Sequence, residues 1–106
     1  MTSYNVLVVD DELDIRELIQ EILTEEGYKV TVASSAREAK EARTNRDFDL
    51  ILLDIWMPDI DGISLLKEWS ENNQLKSPVV MMSGHGTVDT AIESTHLGAT
   101  SFIEKP

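Results

Sequence analysis

Three carboxylates, a hydroxyl and an amine follow closely on short apolar runs in this chain. Asp10 and Asp11 follow Val6-Leu7-Val8-Val9, and Asp54 follows Leu50-Ile51-Leu52-Leu53. Ser83 follows Val79-Val80-Met81-Met82, and Lys105 comes just after the run that ends in Phe102-Ile103. One acid after one strand ordinarily does no more than cap a turn. The repetition is what matters. If the runs are strands of one parallel sheet, their C-terminal ends share a rim, and ligands of open α/β sheets bind beyond that rim. Carboxylates about 5 Å apart repel by roughly 3 kcal/mol per pair at an effective dielectric near 20, so such a cluster needs a cation or raised pKa values. Oxygen donors on a shallow rim suit Mg²⁺, which keeps several waters and takes one or two carboxylates plus phosphate oxygens.

The elements that must deliver these groups are legible from periodicity. The runs at 6–9, 50–53 and 79–82 carry no polar residue, which reads as strands covered on both faces. Val30 and Val32 alternate with Lys29 and Thr31, as in a strand nearer the sheet edge, and Thr100 to Ile103 is the last strand. Ile15, Leu18, Ile19, Ile22 and Leu23 recur at helical spacing, with Arg16, Glu17, Glu21 and Glu25 on the wet side and Gly27 as the stop. Ser35-Ala36-Arg37-Glu38 is a capping box that opens a second helix with a thin alanine face, ending near Thr44-Asn45. Met57-Pro58 and Asp59-Ile60-Asp61-Gly62 form a turn before a third helix that carries Ile63, Leu65, Leu66 and Trp69 and runs to about Asn72. Val88, Ala91, Ile92 and Thr95 mark a fourth helix that Gly98 ends. Strands alternating with helices predict a doubly wound α/β fold with a five-stranded parallel sheet and right-handed crossovers.

Composition narrows the function. A chain of 106 residues, 42% hydrophobic, makes one domain able to bury a single core. Without cysteine there is no disulfide, thiolate metal site or thiol nucleophile. Nine basic residues against twenty acidic ones give a formal net charge of -11, which disfavours direct binding to nucleic acid or to an anionic membrane. With no leader pattern and no apolar run near the ~18 residues of a membrane span, a soluble, cytoplasmic protein is expected. His85, in a Gly-flanked loop, and His96, on a helix, read as surface residues; Trp69 reads as a core anchor and Trp56 as partly exposed.

Over its whole length the sequence resembles the receiver domains of two-component response regulators. The resemblance lies in Val-Val-Asp-Asp-Glu, Leu-Asp-Ile-Trp-Met-Pro-Asp-Ile-Asp-Gly, Met-Ser-Gly-His-Gly and Phe-Ile-Glu-Lys-Pro, and the last two are most similar to NtrC- and NtrX-type transcription regulators. It implies a flavodoxin-like, CheY-like sheet of order 2-1-3-4-5, with residues 1–106 as a receiver domain lacking its fifth helix. It also implies that Asp54 is phosphorylated by a sensor histidine kinase. Asp10, Asp11, Asp54 and the main-chain carbonyl of Trp56 would hold Mg²⁺, Lys105 would contact the phosphoryl group, and Ser83 and Phe102 would be the switch residues. In such regulators AAA+ and DNA-binding output domains normally follow, and this chain has neither.

The chemistry of the residues agrees. Asp54 can attack phosphorus while the metal and Lys105 offset charge, and the resulting aspartyl phosphate carries roughly -1.5 to -2 charge. Two other classes are weighed beside this one. A haloacid-dehalogenase-like phosphatase needs a second Asp two residues after the first, where this chain has Trp56. A phosphorylation-independent interaction module would be expected to lack one of the acidic, hydroxyl or lysine groups. Loss of a fifth helix would bare some of Ile15, Ile19 and Ile22, so either the natural protein continues past Pro106 or the bared face is buried in a homodimer.

Overall fold

The computed structural model describes residues 3–72, 76–83 and 95–104. In chain order these form β1 (Asn5–Val9), α1 (Leu13–Glu25), β2 (Lys29–Ala33), α2 (Ala36–Asn45), β3 (Leu50–Asp54), α3 (Gly62–Glu71), β4 (Val79–Ser83) and β5 (Ser101–Glu104). The five strands pair parallel in the order β2-β1-β3-β4-β5, as expected, with β2 at one edge. Most of the fourth helix expected from Val88, Ala91 and Ile92 lies outside the described residues, as do His85 and Lys105. Its end is visible: Thr95 and His96 are helical, and Gly98 takes a φ of 109° and donates its N–H to the Thr95 carbonyl.

The unbroken apolar runs follow from the pleat. Alternate residues of β1, β3 and β4 enter opposite clusters, so neither face can be polar. Leu7, Val9, Ile51, Leu53, Val79 and Met81 pack with Ala36 and Ala39 of α2 and with Leu65, Leu66 and Trp69 of α3. Val6, Val8, Leu52 and Met82 form the second cluster, joined by Ile19 and Leu23 of α1. That second face is thinly covered. No residue of α1 is fully buried, and Leu18 and Ile22 are 42% and 51% exposed. Ile103, paired with Met82, is 45% exposed. Of the residues expected on the bared strip Ile22 is exposed and Ile15 and Ile19 are half-buried, while Leu18 joins the exposed strip.

Helix ends explain the chain reversals. After α1, Tyr28 donates to the Leu23 carbonyl and Gly27 to that of Thr24, a closure that requires the positive φ of 93° at Gly27. At α2 the Ser35 hydroxyl accepts the Glu38 N–H, the first half of the expected capping box. The second half differs. Glu38 reaches one residue further back, accepting the Ser34 N–H at 3.1 Å and the Ser34 hydroxyl at 2.7 Å. Those two Ser34 bonds, side chain before backbone, hold the Glu38 carboxyl below its ordinary 4.5, with Arg37 and Arg16 adding to the effect and burial opposing it.

A carboxylate with a lowered folded-state pKa contributes stability that is complete above its unfolded value and vanishes as pH falls through the folded one. The urea midpoint of Glu38→Ala should therefore trail that of the unmodified chain most above about pH 5, with the gap closing as the pH falls through the lowered folded-state value. A gap independent of pH would show that the Ser34–Glu38 contact does not depend on charge.

Candidate phosphoacceptor site

The buried polar or charged residues among those described are Asp10, Asp54 and Ser83, at 0%, 1% and 0% exposure. Each stands at or just past the C-terminal end of a strand, and the strands β1, β3 and β4 are neighbours. Asp10 lies one residue beyond the Val9–Leu53 pair, so it stands beside Asp54 across the ladder, and Ser83 lies one residue beyond the Asp54–Met82 pair. Adjacent strands are about 4.8 Å apart. The convergence expected from the sequence is therefore present for these three residues. Trp56 is 64% exposed, and Phe102, opposite Met81, is half-buried against the larger cluster.

Asp10 is held by its surroundings. Its N–H continues the β1–β2 ladder to the Ala33 carbonyl at 3.0 Å, and its Oδ1 accepts the Glu12 N–H at 2.9 Å. Its carbonyl accepts Nη1 of Arg16 at 2.8 Å. Arg16 thus belongs to the rim, whereas helical periodicity placed it on the wet side: its side chain is long enough to fold back over the first turn of α1. Glu12 is a second residue that sequence reasoning did not assign. Carboxylate oxygens of Asp10, Asp11 and Glu12 lie within 4.8 Å of one another. The signal was the acidic run itself, read as a pair. These all-oxygen donors fit a hard divalent cation such as Mg²⁺, and the N-terminus of α1, which begins at Leu13, offsets part of their charge.

The loop after Asp54 is tied at three places. Ile55 donates to the Met82 carbonyl at 3.1 Å and accepts from Gly62 at 2.6 Å. Asp61 caps α3, accepting the Ser64 N–H at 2.8 Å and the Ser64 hydroxyl at 3.0 Å. Asp59, read from sequence only as a turn residue, instead bonds across the fold. Its two carboxylate oxygens accept the N–H groups of Ala36 at 3.1 Å and Arg37 at 3.0 Å, in the first turn of α2. Burial pushes its carboxyl up, but the backbone N–H groups of Arg37, Ile60, Ala36 and Asp59 itself outweigh that and hold it below 3.8. Residues 22 and 23 positions apart leave no local signal of such a contact.

Comparison with known proteins decides the family. The pattern described as "Response regulator receiver domain" matches residues 6–106. This chain belongs to that family. As a receiver it is 42% identical over 106 residues to the nitrogen assimilation regulatory protein NtrX of Azorhizobium caulinodans, covering 98% of this chain and 23% of that protein. The crystal structure of the receiver domain of NtrX from Brucella abortus is 45% identical, with a TM-score of 0.86 over 95% of this chain and 85% of that one. The beryllofluoride-activated NtrC4 receiver domain dimer is 44% identical, with a TM-score of 0.87 over 96% and 84%. The chain thus spans about a quarter of the curated relative's length. Receivers of response regulators are signalling domains rather than enzymes that turn over external substrates.

Gly62 offers the sharpest structural test of this site. A Cβ there would stand 2.0 Å from the Asp54 carbonyl oxygen and 3.0 Å from the Ile55 Cα, both backbone atoms that cannot swing aside. Gly62→Ala should cost about 3 kcal/mol or more in urea unfolding, at the upper end for overpacking, and shift the amide resonances of residues 54 and 55. A variant as stable as the parent, with those resonances unmoved, would show that α3 can retreat from Asp54 freely.

Proposed function

We propose that this receiver is a phosphorylation-activated switch in which Asp54 accepts a phosphoryl group from a sensor histidine kinase. The observation that carries the reading is the burial of Asp10, Asp54 and Ser83 side by side at the C-terminal edge of the sheet, next to the Asp11 and Glu12 carboxylates. An Asp54 carboxylate oxygen attacks phosphorus, the bond from phosphorus to the kinase imidazole nitrogen breaks, and an acyl phosphate remains on β3. Asp10, Asp11, Asp54 and the Trp56 carbonyl would hold Mg²⁺, which would supply charge compensation for the phosphoryl oxygens. Lys105 offsets further charge.

Ser83 is the switch hydroxyl. It ends β4 next to Asp54, at the start of the segment leading to the fourth helix, so reaching the new acceptor oxygens draws that segment inward. Phe102, half-buried against the core from the adjoining β5, then turns into the space vacated. The changed surface controls an output. The greater length of the NtrX relative, named as a nitrogen assimilation regulatory protein, supports an output region beyond this chain; by the family resemblance that output is an AAA+ and DNA-binding pair that controls transcription in the cytoplasm. The dimer formed by the activated NtrC4 receiver supports homodimerisation as one consequence of phosphorylation.

Incubation with acetyl phosphate and Mg²⁺, followed by intact-mass measurement, tests the reading. The chain should gain one hydroxylamine-sensitive phosphoryl group. Asp54→Asn should gain none, while Ser83→Ala and Lys105→Ala should still be labelled to some extent but give a weaker conformational response. Undiminished labelling of Asp54→Asn would move the acceptor elsewhere.

A further inference from the structure

We propose that Asp59 is a positioning residue for the metal rim, fixing the loop that leaves Asp54 by clasping it to the first turn of α2. The inference rests on the reading that the rim holds Mg²⁺.

The hydrogen bonds around Asp59 close a ring. Asp10 donates its N–H to Ala33, the last residue of β2. Three residues on, α2 begins at Ala36, and the N–H groups of Ala36 and Arg37 bond the Asp59 carboxylate. From Asp59 the chain leads back over Pro58, Met57, Trp56 and Ile55 to Asp54, whose strand pairs with the strand that leads into Asp10. The two buried acids are thus joined directly through the sheet and a second time through Asp59. The ends of the loop are anchored by Ile55 and Gly62, Met57 and Ile60 pack on the larger core cluster, and Asp59 adds the side-chain bonds that tie its middle to α2. Trp56, whose carbonyl is the rim's main-chain donor in this reading, has a solvent-exposed side chain, so its ring does not seat the loop in the core.

An anion on two first-turn N–H groups is well matched, since those donors have no partner within the helix and the helix N-terminus is positive. A cap could do this for α2 alone, and Ser35 already caps it by accepting the Glu38 N–H. What Asp59 adds is that the same bonds hold a loop from another part of the chain. Residues that orient metal ligands typically change metal affinity 10–100-fold when removed.

Titration calorimetry with Mg²⁺ on the 106-residue chain, paired with amide exchange of Ile55, Trp56 and Met57 in metal-free protein, tests the assignment. Asp59→Ala should bind Mg²⁺ about tenfold more weakly and exchange those amides faster. Asp59→Asn, which keeps one acceptor, should fall between, and it carries the test if the alanine variant does not fold. Ser35→Ala weakens α2 without touching the loop and should stay within about twofold of the parent in both readouts. The inference is overturned if removing the Asp59 carboxylate leaves Mg²⁺ affinity and loop exchange unchanged, or if Ser35→Ala moves them equally. A parent chain that does not bind Mg²⁺ would overturn the reading of the rim and this inference together, whereas binding that ignores Asp59 overturns the inference alone.

Discussion

Repulsion among carboxylates at one edge of the sheet is the constraint to which the rest of the molecule answers. Asp10, Asp11 and Glu12 crowd within 4.8 Å, and Asp54 is buried one strand away. Each close pair of charges costs roughly 3 kcal/mol at an effective dielectric near 20, a large share of the ~5–15 kcal/mol stability of a small domain. The fold provides partial relief through the α1 N-terminus, the Glu12 N–H on Asp10 and the Arg16 guanidinium on the Asp10 carbonyl. In the proposed function Mg²⁺ offsets more of this charge, and the site responds when a phosphoryl group and the metal arrive together.

The apolar framework makes the repulsion bearable by making it rigid. Buried side chains on both faces of β1, β3 and β4 fix the strand ends, so the acids cannot simply drift apart. Gly62 lets α3 begin directly against the Asp54 backbone, and Asp59 ties the intervening loop to α2. The opposite face is looser: α1 contributes no fully buried residue, and Leu18, Ile22 and Ile103 remain open to solvent.

Sequence showed most of the frame because the physics there is local. Short runs with no polar residue read as strands covered on both sides, and the Lys29 and Thr31 alternation placed β2 nearer an edge. Strand-terminal position brought out Asp10, Asp54 and Ser83. What stayed hidden was long-range or depended on side-chain reach. A helical wheel places Arg16 by its Cα, yet its guanidinium travels to the rim. Glu38 satisfied Ser34 rather than Ser35, one residue outside the pattern a capping box predicts. Gly62 was legible as a turn glycine, but its close approach to Asp54 needed the third dimension, as did the bonds of Asp59. The lysine expected to meet the phosphoryl group, Lys105, lies outside the described residues.

If carboxylate repulsion is the governing term, neutralising one member should stabilise the metal-free protein even though Asp54 is buried. The direct measurement is urea unfolding of the parent and Asp54→Asn, each with EDTA and with excess Mg²⁺. Without metal the variant should be the more stable by about 1–3 kcal/mol, and Mg²⁺ should stabilise the parent more than the variant. An Asp54→Asn protein less stable than the parent without metal, and stabilised by Mg²⁺ to the same extent, would contradict the account.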